Sequence, residues 1–490
     1  MFESAAVEHV VDEATFKREV PLLRTALLEA QFRLREAQGF PVIVLVTGQD
    51  MSGKGQVMHR LTEWLDPRYL RINAYVPPHG AELERPAMWR YWRDLPPAGE
   101  IGLVFGSWYN DALRAALDDR DGSGLDDWIN RINAFEGLLG DEGALILKFL
   151  LRISPEERKR REKRLKKAAY PSRHVLEEWT DLGPLKKIRP VADEIVTRTS
   201  TALAPWLVLP ADDPAYRDLL FGRTIRTALE KRLEGSPPTR EAPPALVPSL
   251  DGRTVLDALD LTLELDRKTY GERLPALQYR LAELTDSRAF DRCSLVCVFE
   301  GNDAAGKGGA IRRFTAALDP RRYRVWPIGA PTDDEKRQAY LWRFWRRVPR
   351  LGRTAVFDRS WYGRVLVERV EGYASEPEWH RAYGEINEFE AELTRHGCVV
   401  VKFWLATSPE EQLRRFEARA DTAWKQHKIT PEDWRNRQKW DAYAQAVSDM
   451  VDRTSTAIAP WTLVEAEDKR WARIKVLETI ADRLERALSR

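Results

Sequence analysis

A chain of 490 residues, 43% hydrophobic and 31% charged, has the make-up of a globular protein with more than one core. Its formal net charge of +2 excludes a polycation built to coat nucleic acid, so any anionic ligand must be met by local clusters of Arg and Lys. Three cysteines, Cys293, Cys297 and Cys398, exclude a disulfide framework and match a reducing compartment.

The N-terminal stretch MFESAAVEHVVDEATFKREV has early acids and lacks the apolar core of a secretory signal. No later run reaches the roughly 18 apolar residues of a membrane span, so the expected location is cytoplasmic, with no membrane partner. Phe16, Val20, Leu23, Leu27 and Leu34 then mark one stripe of a helix. VIVLVT (42–47) reads as a buried strand, and Gly48-x-Asp50-x-x-Gly53-Lys54-Gly55 follows it directly. Further along, ALILKFLL (144–151) and the residues after Trp206 supply two more strands. The proline-rich stretch 234–252 is expected to be a linker. Helical spacing returns over 263–284, then strands at SLVCVF (294–299), CVVVKFWL (398–405) and after Trp461. Cys293 and Cys297 are expected to be strand cysteines, because no second Cys/His pair accompanies them to hold a metal.

The second half repeats the first. Gly301-x-Asp303-x-x-Gly306-Lys307-Gly308 lies 253 positions after the first glycine-rich loop, and Leu65-Asp66-Pro67-Arg68 returns at the same offset as Leu318-Asp319-Pro320-Arg321. Trp89-Arg-x-Trp92-Arg93 and Ser107-Trp108-Tyr109 return as Trp342-Arg-x-Trp345-Arg346 and Ser360-Trp361-Tyr362. Ser154-Pro-Glu-Glu157 and Pro205-Trp206 return with a drift of one or two residues, at Ser408 and Pro460. Two domains, 1–233 and 253–490, follow from this. The expected class is α/β: two tandem P-loop kinase-like domains, each a parallel sheet flanked by helices with a helical lid.

A glycine-rich turn between strand and helix offers backbone N–H groups and the positive end of a helix dipole to phosphate, and its lysine reaches across the phosphates. Here the usual Ser/Thr after the lysine is Gly55 or Gly308, while each loop carries an acid, Asp50 or Asp303. An acid facing phosphates calls for a cation between them, so Asp303 is expected to be a metal ligand. Asp358, at the end of a hydrophobic run and followed by Arg359 and Arg364, is the expected second ligand beside two cations for a moving phosphoryl group. In the first repeat these three positions are Phe105, Gly106 and Asp111, so that copy is expected to be degenerate and the second catalytic. Two basic stretches, Arg343–Arg353 and Arg414–Lys439, stand out in the second repeat, the latter placed where a lid would close over phosphates.

Together GxDxxGKG, LDPR, WRFWR, DRSWYGR-VLVERVEG, SPEE and TSTAIAPW resemble the polyphosphate kinase 2 family, once per half. The tandem arrangement, and SWYGRVLVERV in place of SWYNRAGVERV, resemble its branch that moves a phosphoryl group from inorganic polyphosphate to AMP, giving ADP. That resemblance implies Mg²⁺ on Asp303 and Asp358. It also implies catalytic roles for Asp303, Lys307, Asp358, Arg359 and Arg364. Phosphate would be bound by Gly301, Gly306, Lys307, Gly308, Arg414, Arg415, Arg419 and Lys425, and nucleotide by Arg364, Glu368 and Arg343. Polyphosphate and AMP/ADP are the implied partners, without nucleic acid, and a homo-oligomer is left open. An ATP-dependent nucleoside monophosphate kinase and a non-enzymatic polyanion binder are the competing readings.

Overall fold

The computed structural model describes residues 9–118, 123–167, 184–235, 254–421 and 431–489. The chain divides into two compact units. Met1–Pro78, Tyr91–Arg240 and Thr332–Ala339 form one; His79–Arg90, Glu241–Pro331 and Tyr340–Arg490 form the other. Each repeat thus contributes one short segment to the opposite unit. Within the first unit the Ala98 amide donates to the Arg337 carbonyl at 2.8 Å, and within the second the Leu351 amide donates to Glu84 at 3.2 Å.

The first unit holds β1 (Val42–Gly48), β2 (Leu70–Ala74), β3 (Ile101–Phe105), β4 (Leu145–Arg152) and β5 (Trp206–Pro210), in the order β2-β3-β1-β4-β5. The second unit holds β6 (Ser294–Gly301), β7 (Tyr323–Pro327), β8 (Thr354–Asp358), β9 (Cys398–Ala406) and β10 (Trp461–Glu465), in the equivalent order β7-β8-β6-β9-β10. Every strand pair is parallel, which requires helical crossovers and buries both faces. β1 and β6 accordingly read as unbroken apolar runs. The predicted strands are all present, as β1, β4, β5, β6, β9 and β10. The edge strands β2 and β7 carry half-exposed, polar-interrupted sequence that announces no strand.

The stripe predicted near the N-terminus lies on the helix Glu13–Ala37, where Leu23, Leu27 and Leu34 are buried and Phe16 and Val20 pack against the core from its rim. Its counterpart begins at Arg267, four residues later than the spacing implied, because Asp266 caps it by accepting the Lys268 and Thr269 amides. Cys293 is a second correction: it precedes β6 and is half-buried, whereas Cys297 and Cys398 lie inside strands. Burial raises all three thiols, Cys293 to about 11 and Cys398 to about 12, so they stay protonated and inert. Most of the expected linker lies outside the described residues. Among the described residues no helix is long and apolar enough to cross a membrane.

The Ser-Trp-Tyr repeat has a structural explanation. In the second unit the Lys402 Nζ, fully buried on β9, donates to Glu390, to the Tyr362 hydroxyl and to the Thr454 carbonyl, each at 2.7 Å. Tyr362 and the Trp361 indole also donate to Glu390. Burial pulls Glu390 up and Lys402 down, each toward its neutral form, and their mutual attraction opposes it. Lys148, Glu136, Tyr109, Trp108 and Thr199 reproduce this knot in the first unit. A network kept in both copies belongs to the fold and carries no reaction by itself.

Candidate active site

The carboxyl ends of β6 and β8 meet at the point where the strand order departs in both directions from the centre of the sheet, the usual crevice for ligands in open α/β sheets. Phe299 on β6 pairs with Asp358 on β8, so Glu300, Gly301 and the phosphate loop extend just beyond Asp358. Gly306 caps the helix Lys307–Thr315 with φ of 108°, a left-handed conformation that leaves the first amides of the helix pointing out of the turn. Lys307 Nζ donates to the Gly301 carbonyl at 2.6 Å and to Asn302 at 3.3 Å, folding back over its own loop.

Asp303 is the hub. Its Oδ1 lies 3.3 Å from Arg359 Nη2, its Oδ2 accepts from the Asn436 amide at 2.8 Å, and its carbonyl accepts from Gln412 at 3.2 Å. Arg359 follows β8 at φ of 62°, a strained value for a residue with a Cβ. Ser360 behind it donates to Glu300 at 2.8 Å. Burial raises the Glu300 carboxyl, against the hydrogen bond from Ser360 and the attraction of Lys307 and Arg359. Glu300, Asn436 and Gln412 were not singled out from the sequence. Glu300 ends an apolar run, and only the fold brings the helices after β9 back to the loop. A small cavity of about 80 Å³ opens here, lined among others by Glu300, Asp303, Arg359, Trp404 and Asn436. The buried Trp404 Nε1 has no acceptor among the described residues.

The expected phosphate-binding arginines separate. Arg415 is buried and donates to the carbonyls of Ala304, Ala305, Ala466 and Glu467, so its guanidinium braces the phosphate loop from behind and has no face left for phosphate. Arg161 does the same for the first loop through Met51, Ala211 and Asp212. Arg414 is exposed and forked onto Glu411. Arg419 is half-buried; burial lowers its basicity, which the charges of Asp433 and Asp303 partly restore. Lys425 lies outside the described residues. Arg364 pairs with Glu368 at 2.9 Å and stacks on Tyr340, with its carbon 4.4 Å from the ring centre. Arg343 donates to the Gly329 carbonyl at 3.0 Å, just past the carboxyl end of β7. The fold therefore gathers Asp303, Lys307, Asp358 and Arg359 at one strand edge and ties Arg364 to Glu368.

The first repeat keeps the loop and a cavity of about 690 Å³ beside it. There the buried Lys54 faces Asp50 at 3.6 Å and the Phe105 ring at 5.7 Å. Arg217 packs against the loop at Gly53, donating to Gln56 at 2.9 Å. At the corresponding places the second repeat has Ala472 and Gly309, and a Cβ added at Gly306 would meet no packed neighbour within 4 Å among the described residues, whereas one at Gly53 would strike the Arg217 guanidinium.

The model of the family described as Polyphosphate kinase 2 (PPK2) matches residues 10–236 and again 264–490. The chain belongs to the polyphosphate kinase 2 family. It is 50% identical over 491 residues to a Pseudomonas aeruginosa protein named polyphosphate:AMP phosphotransferase, covering 99% of both. A Pseudomonas syringae pv. tomato protein of the same name is 47% identical, with 100% of this chain and 99% of that one covered. The solved structure of a polyphosphate kinase 2 from Pseudomonas aeruginosa PA01 superposes with a TM-score of 0.89 at 48% identity, over 100% of this chain and 99% of that one. Both repeats are thus members of one family that differ at the strand edge, Asp358-Arg359 against Phe105-Gly106.

Proposed function

We propose that the protein transfers the terminal phosphoryl group of inorganic polyphosphate to AMP, giving ADP, and that the second repeat performs the chemistry. The observation that carries this reading is the Asp303–Arg359 contact beside Asp358, a constellation whose second half the first repeat lacks. The names of the full-length relatives support the donor and the acceptor.

In the reaction an anionic oxygen of the AMP phosphate attacks the terminal phosphorus of the chain. The bond from that phosphorus to its bridging oxygen breaks, and the polymer leaves one phosphate shorter. The attacking oxygen is already ionised, so no general base is needed. Lys307 and the loop amides hold the transferring group, Arg359 offsets charge on it, and the Arg364–Glu368 pair with Arg343 positions the acceptor.

Asp303 and Asp358 would hold Mg²⁺. The donor set fits, because this ion is commonly held by one or two carboxylates with phosphate oxygens completing its shell, and Asp358 ends β8 level with the strand that runs into the loop carrying Asp303. Bound there, the ion would neutralise charge on the phosphate oxygens. The test is ADP formation from AMP with long-chain polyphosphate and Mg²⁺, with ATP offered separately. Turnover from polyphosphate that stops on chelation supports the reading, and turnover from ATP alone would replace it with a nucleoside monophosphate kinase.

A further inference from the structure

Within the second unit a cavity of about 710 Å³ opens at the amino ends of β7 and β8, the opposite end of these strands from Asp358. At about 3.3 Å per residue, Thr354 lies roughly 13 Å along β8 from Asp358. Seven arginines between positions 321 and 353 line it, against Asp291; Glu84 and Arg85 add one charge of each sign. Arg321 is forked onto Asp319, and Arg322 reaches Asp291 at 3.3 Å. Arg324, Arg346 and Arg353 have no carboxylate partner among the described residues: the first two lie over the Trp326 and Trp342 rings, and Arg353 donates to the Arg321 carbonyl.

The first repeat is an internal control for this charge. At the positions of Arg322, Arg347, Arg350 and Arg353 it has Tyr69, Asp94, Pro97 and Glu100. Its remaining cations are neutralised, Arg71 by Glu100 at 2.6 Å and Arg93 by Asp94 at 2.6 Å. Packing at this end of the sheet does not require these four arginines. Like Asp358 and Arg359, Arg322, Arg347, Arg350 and Arg353 occur in the second repeat alone, whereas Arg321, Arg324 and Arg346 recur as Arg68, Arg71 and Arg93.

We propose that this cavity is a second polyphosphate-binding site, which anchors a distal stretch of the same chain whose end lies at the phosphate loop. The proposal rests on polyphosphate being the donor. Several guanidinium groups in one concavity suit a ligand that repeats its phosphate, since each group can take two phosphate oxygens. A nucleotide or nucleic acid fits less well, because the Trp326 ring that a base would stack on already carries Arg324 at 4.0 Å and Arg347 at 5.4 Å.

The test compares the full-length protein with its Arg350→Glu/Arg353→Glu variant. Glutamate already stands at the second of these places in the first repeat, so the fold accommodates it. Binding of long-chain polyphosphate is measured by calorimetry without AMP, alongside single-stranded RNA. KM is measured with long-chain and with tetrameric donors. Long-chain affinity should fall by about tenfold or more and its salt dependence should flatten, as expected when cations that meet phosphates are removed. The long-chain KM should rise while the tetramer KM stays the same. Equal long-chain affinity in the two proteins overturns the proposal, as does RNA binding that exceeds polyphosphate binding and is what the variant loses. If the double variant melts early, Arg324→Ser, which alters an exposed side chain, decides the question by the same comparison. Polyphosphate binding that the variant weakens in a protein that turns over only ATP would leave this site standing and remove the proposed function.

Discussion

Arg359 Nη2 lies 3.3 Å from Asp303 Oδ1, joining the end of β8 to the phosphate loop through a residue held at φ of 62°. Gly106 occupies the same corner of the first repeat at φ of 64°, where glycine bears no penalty. Arg359→Gly is therefore expected to stabilise the protein by about 1 kcal/mol while lowering turnover by roughly a hundredfold or more, as loss of a group that offsets transferring charge does. Thermal melts and AMP turnover on one preparation check both signs.

Asp358→Asn is expected to abolish polyphosphate-dependent ADP formation with little change in melting temperature. Phe105→Leu, at the equivalent place in the first repeat, should cost about 1 kcal/mol of packing and leave kcat within about twofold. Equal losses of activity from both would reject the assignment of the chemistry to the second repeat.

Lys402→Met and Lys148→Met each strand a buried glutamate. Removing one partner of a buried pair costs about 3–5 kcal/mol, and the matching geometry of the two knots predicts similar losses in chemical denaturation. A large cost at Lys402 alone would show that the network has a use beyond the fold.

The Asp319 carboxyl is pulled down to about 2, first by the hydrogen bond from the Arg321 guanidinium and then by its backbone amide. Its contribution to stability is present above the ordinary value of 3.8 and is lost as the pH falls through about 2. A carbon-detected NMR titration should find that midpoint, and Arg321→Ala should return it toward 3.8.

Sequence alone made the repeat, both phosphate loops, most of the strands and the loss of Asp358 and Arg359 from the first copy legible. Those features rest on local pattern: unbroken apolar runs, glycine spacing and the internal alignment. Arg415 and Arg414 are neighbours in one basic run, yet one braces carbonyls in the interior and the other is exposed and forked onto Glu411. Only the register of the helix Pro409–Ala420 decides which face turns inward. Asn436 reaches Asp303 from 133 positions away, and no spacing in the sequence encodes that approach. β2 and β7 are not announced because neither buries a single residue fully and polar residues interrupt both, whereas the opposite edge strands β5 and β10 bury three of their five residues.

The left-handed corner after β8 also gives the duplication a direction. Because arginine at that φ is uphill and glycine is not, a copy that does not use the guanidinium gains stability by exchanging it for glycine. With two copies on one chain, only one has to resist that slope. On the proposed division of labour, the glycine at position 106 marks the copy in which the guanidinium was not kept.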